Sequence, residues 1–146
     1  MNSIESILND KGRSVFSIPA EATVLEAAEI MCAVHVGALI VMRGESIAGM
    51  FSERDLMKRV ILSRLDAALV HVGDVMTCRV VCTTADVSAV EAMAIMTREC
   101  VRHLPVLRQR RLEGIVSMGD LVRWTIRDRE HAVEQLTEYV GGTYPG

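Results

Sequence analysis

The residues of this chain best suited to chemistry are a hydroxyl and a short carboxylate three positions apart, Ser52 and Asp55, in Gly49-Met50-Phe51-Ser52-Glu53-Arg54-Asp55. A β-like run, Ser46 to Phe51, leads into the pair and a helical run, Glu53 to Ser63, leads out. A strand that delivers a hydroxyl and a carboxylate to the open end of a helix makes a small-anion site, because the first backbone N–H groups of a helix have no partners of their own. The arrangement returns 65 residues later as Gly114-Ile115-Val116-Ser117-Met118-Gly119-Asp120. Two readings are open. One is a plain capping box with aspartate at its third helical position. The other is a ligand site in which a short carboxylate accepts both hydroxyls of a ribose diol. The plain cap leaves unexplained why both second helices carry aspartate while both first helices carry glutamate, Glu26 and Glu91. Arg54 starts its helix, where the dipole disfavours a cation. A phosphate nearby would offset that cost; a solvated surface arginine is the alternative. Since Met118-Gly119 stands in the second copy, the two sites are expected to differ, with the Arg54 site taking more phosphate charge.

The elements that must position these groups read as follows. Ser3 to Asp10 is a short helix with Ile4, Ile7 and Leu8 on one face. Val15 to Ile18 is a strand stopped by Pro19. Thr23-Val24-Leu25-Glu26 is a capping box before a helix carrying Ala27, Ile30, Met31 and Val34, and Gly37 ends it. Ala38 to Met42 is an apolar strand, Arg43-Gly44-Glu45 a tight turn, and Ser46 to Phe51 the returning strand. The unit is β-α-β-β-α. Sliding the chain by 65 residues lays Glu26-Ala27 on Glu91-Ala92, Leu39 and Val41 on Leu104 and Val106, and Gly49, Ser52 and Asp55 on Gly114, Ser117 and Asp120 without a gap. Ser88-Ala89-Val90-Glu91 is a second capping box in register. Such a match marks a duplicated module. One copy is too small to bury its own apolar face, so two copies packed sheet against sheet about a pseudo-twofold axis are expected. Repeat 1 spans residues 15–63 and repeat 2 spans 75–127, with a lead-in at 1–14, a connector at 64–74, and a C-terminal helix and tail at 128–146. In that last stretch Ala132, Leu136 and Val140 share one helical face.

The chain has 146 residues, half of them hydrophobic, with a net charge of −3 and 3% aromatics. The charge gives no basic footprint for a nucleic-acid backbone, and the few rings give no stacking platform. Met1 to Arg13 lacks the apolar core of a signal peptide, and no apolar run approaches a membrane span. Cys32, Cys78, Cys82 and Cys100 are therefore expected as reduced thiols in a cytoplasmic protein. Cys78 and Cys82 lack CxxC spacing and a histidine at ligand spacing, so no zinc site is expected. His35, His71 and His131 form no ligand pattern. His103 has no serine or cysteine partner at an interpretable spacing, and reads as a wall residue beside a base rather than a general base. The nine methionines fall mainly at helix-core positions, and Arg108 to Arg111 reads as a solvated basic turn.

Taken in order, these residues resemble a tandem CBS domain pair (cystathionine β-synthase-type module, or Bateman module) over roughly residues 8 to 127. The carriers are Glu26-Ala27 with Met31, Gly49-x-x-Ser52-x-x-Asp55, Met76-Thr77, Glu91-Ala92 with Met96, His103-Leu104-Pro105-Val106 and Gly114-x-x-Ser117-x-x-Asp120. Together with Lys11-Gly12-Arg13, they are similar to small stand-alone bacterial pairs. The resemblance implies an α/β fold and adenosine-containing ligands held in clefts between the repeats. Asp55 and Asp120 would take the ribose, and Ser52 and Ser117 the phosphate. Val101, Arg102 and His103 would border the adenine, with Val36, Gly37 and Ala38 as their counterparts. Ile18, Met50, Thr83, Pro105, Ile115 and Gly119 are further positions it implicates, and it implies a flat homodimer. The chain departs from the family pattern at Ile40, which replaces the proline found at Pro105, and at Ala20 and Ala85.

The expectation from residues and resemblance together is a regulatory sensor of adenine nucleotides (AMP, ADP, ATP or NAD(H)), not an enzyme, with no catalytic residue or cofactor and an unidentified regulated partner. A ligand-free adaptor dimer with vestigial clefts is the alternative. An NAD-dependent redox enzyme is a third, for which the chain lacks a Gly-rich dinucleotide loop.

Overall fold

The computed structural model describes the backbone of residues 3–139 and the side chains of residues 3–129. Val140, the tail from Gly141 and the side chains of Ala132 and Leu136 lie outside the described residues. The fold is mixed α/β, with two three-stranded sheets in two compact units, one Val15–Val80, the other Met1–Ser14 with Val81–Gly146.

In the Val15–Val80 unit, strand β1 (Ser17–Pro19) runs parallel to β2 (Ala38–Arg43), and β2 pairs antiparallel with β3 (Ser46–Ser52). Pro19 is the last residue of β1, and the strand starts at Ser17 rather than at Val15. The proline is tolerated because β1 is an edge strand, where a missing N–H breaks no ladder. Ala20 carries the pairing on by donating to the Met42 carbonyl at 3.0 Å, a donor that a proline there would lack. Between β1 and β2 runs helix α2 (Val24–Val34), held by the full capping box of Thr23 and Glu26. It ends not at Gly37 but at His35, whose φ of 56° is left-handed. The Val36 N–H then reaches back to the Met31 carbonyl at 3.1 Å, and both side chains join the core. This closing pattern needs one left-handed residue and an apolar pair, not a glycine.

Ser52 caps a single turn, α3 (Glu53–Asp55), and the chain continues as a wider helical run, Leu56–Ile61. The expected regular helix to Ser63 is replaced by bonds reaching five residues back, Leu62 N–H to Met57 and Leu65 N–H to Val60, both 2.9 Å. The widened turn keeps Val60 buried and leaves Met57, Ile61 and Leu62 exposed. A short helix, α4 (Val72–Val75), closes the unit. By chain order Val75-Met76-Thr77 leads into the second repeat; in space it packs on the first, with Val75 and Met76 in its core and Thr77 bridged to Met50.

The other unit repeats the plan with β4 (Thr83–Thr84), α5 (Ala89–Glu99), β5 (His103–Arg108) and β6 (Arg111–Ser117). Its closing element comes from the start of the chain, α1 (Ile4–Lys11), capped by Ser3. The correspondence of α1 and α4 is exact in backbone bonding. Ile4 and Glu5 donate to the carbonyls of Val87 and Ala85, as Val72 and Gly73 donate to those of Ala22 and Ala20. Ser88 makes the hydroxyl half of its box, accepting from the Glu91 N–H at 3.1 Å. α5 ends on left-handed Cys100, with Val101 reaching Met96 at 3.0 Å as Val36 reaches Met31. The last strand runs straight into one long helix, α6 (Met118–Tyr139), with no break after Ile126. Among the described residues no helix is long and apolar enough to cross a membrane.

Candidate functional site

Each repeat brings a strand end, a helix start and a loop to one place. In the second, Ser117 and Asp120 form a reciprocal cap: the Asp120 carboxylate accepts from the Ser117 N–H at 2.8 Å, and the Ser117 hydroxyl accepts from the Asp120 N–H at 3.1 Å. The next helical N–H, that of Met118, donates to the Arg102 carbonyl at 2.9 Å and hangs the Cys100–His103 loop on the start of α6. In the first repeat Glu53 does the same to Gly37 at 3.0 Å. The bond uses an orphan N–H of the helix start and fixes the loop that precedes the central strand.

Between that loop and the start of α6 lies an open cavity of about 620 Å³, lined by Met96, Thr97, Cys100, Val101, Arg102, His103, Ser117, Met118 and Gly119. The sequence singled out Val101, Arg102, His103, Ser117 and Gly119, and all five stand on it. It did not count Met96, Thr97, Cys100 or Met118 among the ligand positions; they take their place from helix periodicity and from the left-handed end of α5. Arg102 and Gly119 are exposed, and the cavity joins apolar walls to the N-terminal turn of a long helix. Thr83 and Pro105 are buried within the sheet, and the Thr83 hydroxyl has no hydrogen-bond partner among the described residues. The Ile115 carbonyl accepts from Lys11 Nζ at 2.9 Å.

Asp120 sits beside this cavity with three donors on its carboxylate: Lys11 Nζ at 2.7 Å, Arg123 at 2.7 Å and the Ser117 N–H. Partial burial pushes its carboxyl up, but the Lys11 ammonium and the Ser117 bonds outweigh that and hold it below the usual carboxylate range. Asp55 is more enclosed, at 7% exposure. Its carboxylate accepts from the Ser52 N–H at 3.0 Å, the Ser52 hydroxyl at 3.1 Å and the Thr77 hydroxyl at 2.9 Å, with Arg59 at 3.7 Å. Of the other first-repeat positions, Ile18 and Ala38 are buried, Val36, Gly37, Met50 and Ser52 half-buried, and Arg54 exposed. Both serine–aspartate pairs thus act as caps. The one beside the described cavity keeps its carboxylate nearer to solvent.

Two units of one β-α-β-β topology, each with a serine–aspartate helix start, make this chain a tandem-repeat protein of mixed α/β fold. The CBS domain model matches it twice, over residues 7–62 and 72–127, and the chain belongs to that family. CBS pairs are regulatory modules. A solved protein with CBS domains from Burkholderia ambifaria MC40-6 is 36% identical and superposes with a TM-score of 0.84, covering 86% of this chain and 95% of that one. The mitochondrial CBS domain-containing protein CBSX3 of Arabidopsis thaliana is 31% identical over 97% of this chain and 73% of its own length. The CBS domain pair of protein MJ0100, solved with 5′-methylthioadenosine and S-adenosyl-L-methionine, shares the fold at 19% identity and a TM-score of 0.75, over 86% of this chain and 97% of that one.

Proposed function

We propose that this chain is a non-catalytic regulatory module whose second-repeat cleft takes an adenosine-containing ligand of the AMP, ADP, ATP or NAD(H) class. The observation that carries the reading is the meeting of Val101, Arg102, His103, Ser117 and Gly119 on one cavity of about 620 Å³, a size suited to a ligand of nucleotide dimensions. Met96, Val101 and Met118 offer an apolar wall to a base. The Ser117 hydroxyl, the Arg102 cation and the positive end of α6 offer contacts to phosphate. An adenosine compound is also what the MJ0100 pair holds, although that likeness is one of fold. Signalling requires that the ligand bind two conformations with different affinity.

A second reading applies to the first repeat. With Asp55 buried and its oxygens shared among Ser52, Thr77 and Arg59, that carboxylate serves as a structural cap, and the Arg54 cleft is vestigial. A homodimer fits the exposed apolar residues on the second helix of each repeat, Met57 and Ile61 in one and Val122 and Ile126 in the other, which are equivalent under the 65-residue shift. A reducing compartment such as the cytoplasm suits the four free thiols. A thermal-shift screen of adenosine compounds tests the ligand reading, since a ligand held only by the folded state raises Tm. A rise with at least one nucleotide is expected; flat melting curves across the whole class would favour the ligand-free adaptor.

A further inference from the structure

The carboxylate of Asp120 is already ion-paired. Lys11, the last residue of α1, sets its ammonium on it at 2.7 Å and on the Ile115 carbonyl at 2.9 Å, while Arg123 takes the other carboxylate oxygen at 2.7 Å. In the first repeat a neutral group from the closing segment does this work, the Thr77 hydroxyl on Asp55 at 2.9 Å. The two segments are counterparts in space. A Cβ on Gly49 would meet Met76, and one on Gly114 would meet Leu8. Each closing segment therefore lays one side chain on the aspartate of its own repeat. One of these side chains is a cation and the other is not.

We infer that Lys11 is a specificity-determining residue that makes the second-repeat cleft select phosphorylated over unphosphorylated adenosine compounds. The inference rests on the reading of that cleft as an adenosine site. An uncharged nucleoside that places its ribose hydroxyls on Asp120 must displace the ammonium into water and forfeit the ion pair, with no anion of its own to offer in exchange. A phosphorylated compound brings its own anion, so the ammonium exchanges one partner for another. Lys11 is about one third exposed, at 32%, and its flexible four-carbon stem allows the swing. Two cations on one carboxylate also leave a positive surplus beside Ser117, where a phosphate would lie.

Trp124, the single tryptophan of the chain, lies one helical turn after Asp120 on α6, so its fluorescence reports on the second repeat. Titrations with adenosine and AMP are to be compared for the wild type, Lys11→Met and Lys11→Arg, with the melting temperature of each variant as the folding control. The wild type should prefer AMP by at least about tenfold, a difference of about 1.4 kcal/mol. Lys11→Met should reduce that preference to about threefold or less, by tightening adenosine, which no longer displaces an ammonium, as well as by weakening AMP, a shift of at least about 0.7 kcal/mol. Lys11→Arg should keep it. Equal loss of both ligands in Lys11→Met, or no change in either, would overturn the inference while leaving the adenosine site standing. A wild type that responds to neither compound, in fluorescence or in melting temperature, would remove the adenosine reading and this inference with it.

Discussion

Asp55 and Asp120 occupy equivalent positions and do unequal work. Asp55 completes a cap and holds the Thr77 hydroxyl from inside the protein. Replacing it with alanine removes the cap and leaves Thr77 without its partner. Asp55→Ala is expected to cost about 1–3 kcal/mol in urea unfolding. Asp120 carries a similar cap, but its other partners, Lys11 and Arg123, reach water when released. Asp120→Ala should cost closer to about 1 kcal/mol and leave the protein folded while weakening its adenosine ligand. Equal destabilisation by the two substitutions would contradict this division. The residue pattern alone made both aspartates candidates for a ribose, because type and spacing are identical. What separates them is which side chain of a distant segment lands on each, and no local pattern records that.

The elements divide the same way into what is local and what is not. The capping box of α2, the Arg43-Gly44-Glu45 turn and, to within one residue, the strand from Ser46 were legible because neighbours in sequence fix them. The wide run Leu56–Ile61 was not, since helical periodicity reads the same whether bonds reach four or five residues back. Nor was the closure of the second repeat by α1, which depends on contacts about a hundred residues apart, such as Lys11 with Asp120. Two glycines mark where those closing segments press on the sheets. A Cβ at Gly49 would stand 2.5 Å from the Thr77 carbonyl oxygen, which is backbone, and one at Gly114 would stand 2.9 Å from a Leu8 methyl, which can turn aside. Gly49→Ala should therefore destabilise by about 2–3 kcal/mol and Gly114→Ala by about 1. The reverse order in denaturant midpoints would show that α4 is the looser contact.

At the scale of the whole molecule, the second helices of the two repeats present matching apolar residues to solvent. Ile61 is 59% exposed and Ile126 51%. Monomers seldom leave equivalent apolar faces uncovered twice. Sedimentation should give a dimer for the wild type and a monomer with unchanged circular dichroism for Ile61→Glu with Ile126→Glu; an unchanged mass would place the interface elsewhere. The duplication itself was plain in the sequence, because both copies keep the same spacing throughout. That the two sites differ was legible from Arg54 against Met118-Gly119, but which aspartate is the more enclosed came only with the fold. The measurement closest to the main claim is a ¹⁵N–¹H correlation spectrum recorded while AMP is added. The backbone signals of Cys100 to His103 and of Ser117 to Asp120 should move together and saturate. Signals that stay fixed at those positions up to millimolar AMP, or that move only in the first repeat, would contradict it.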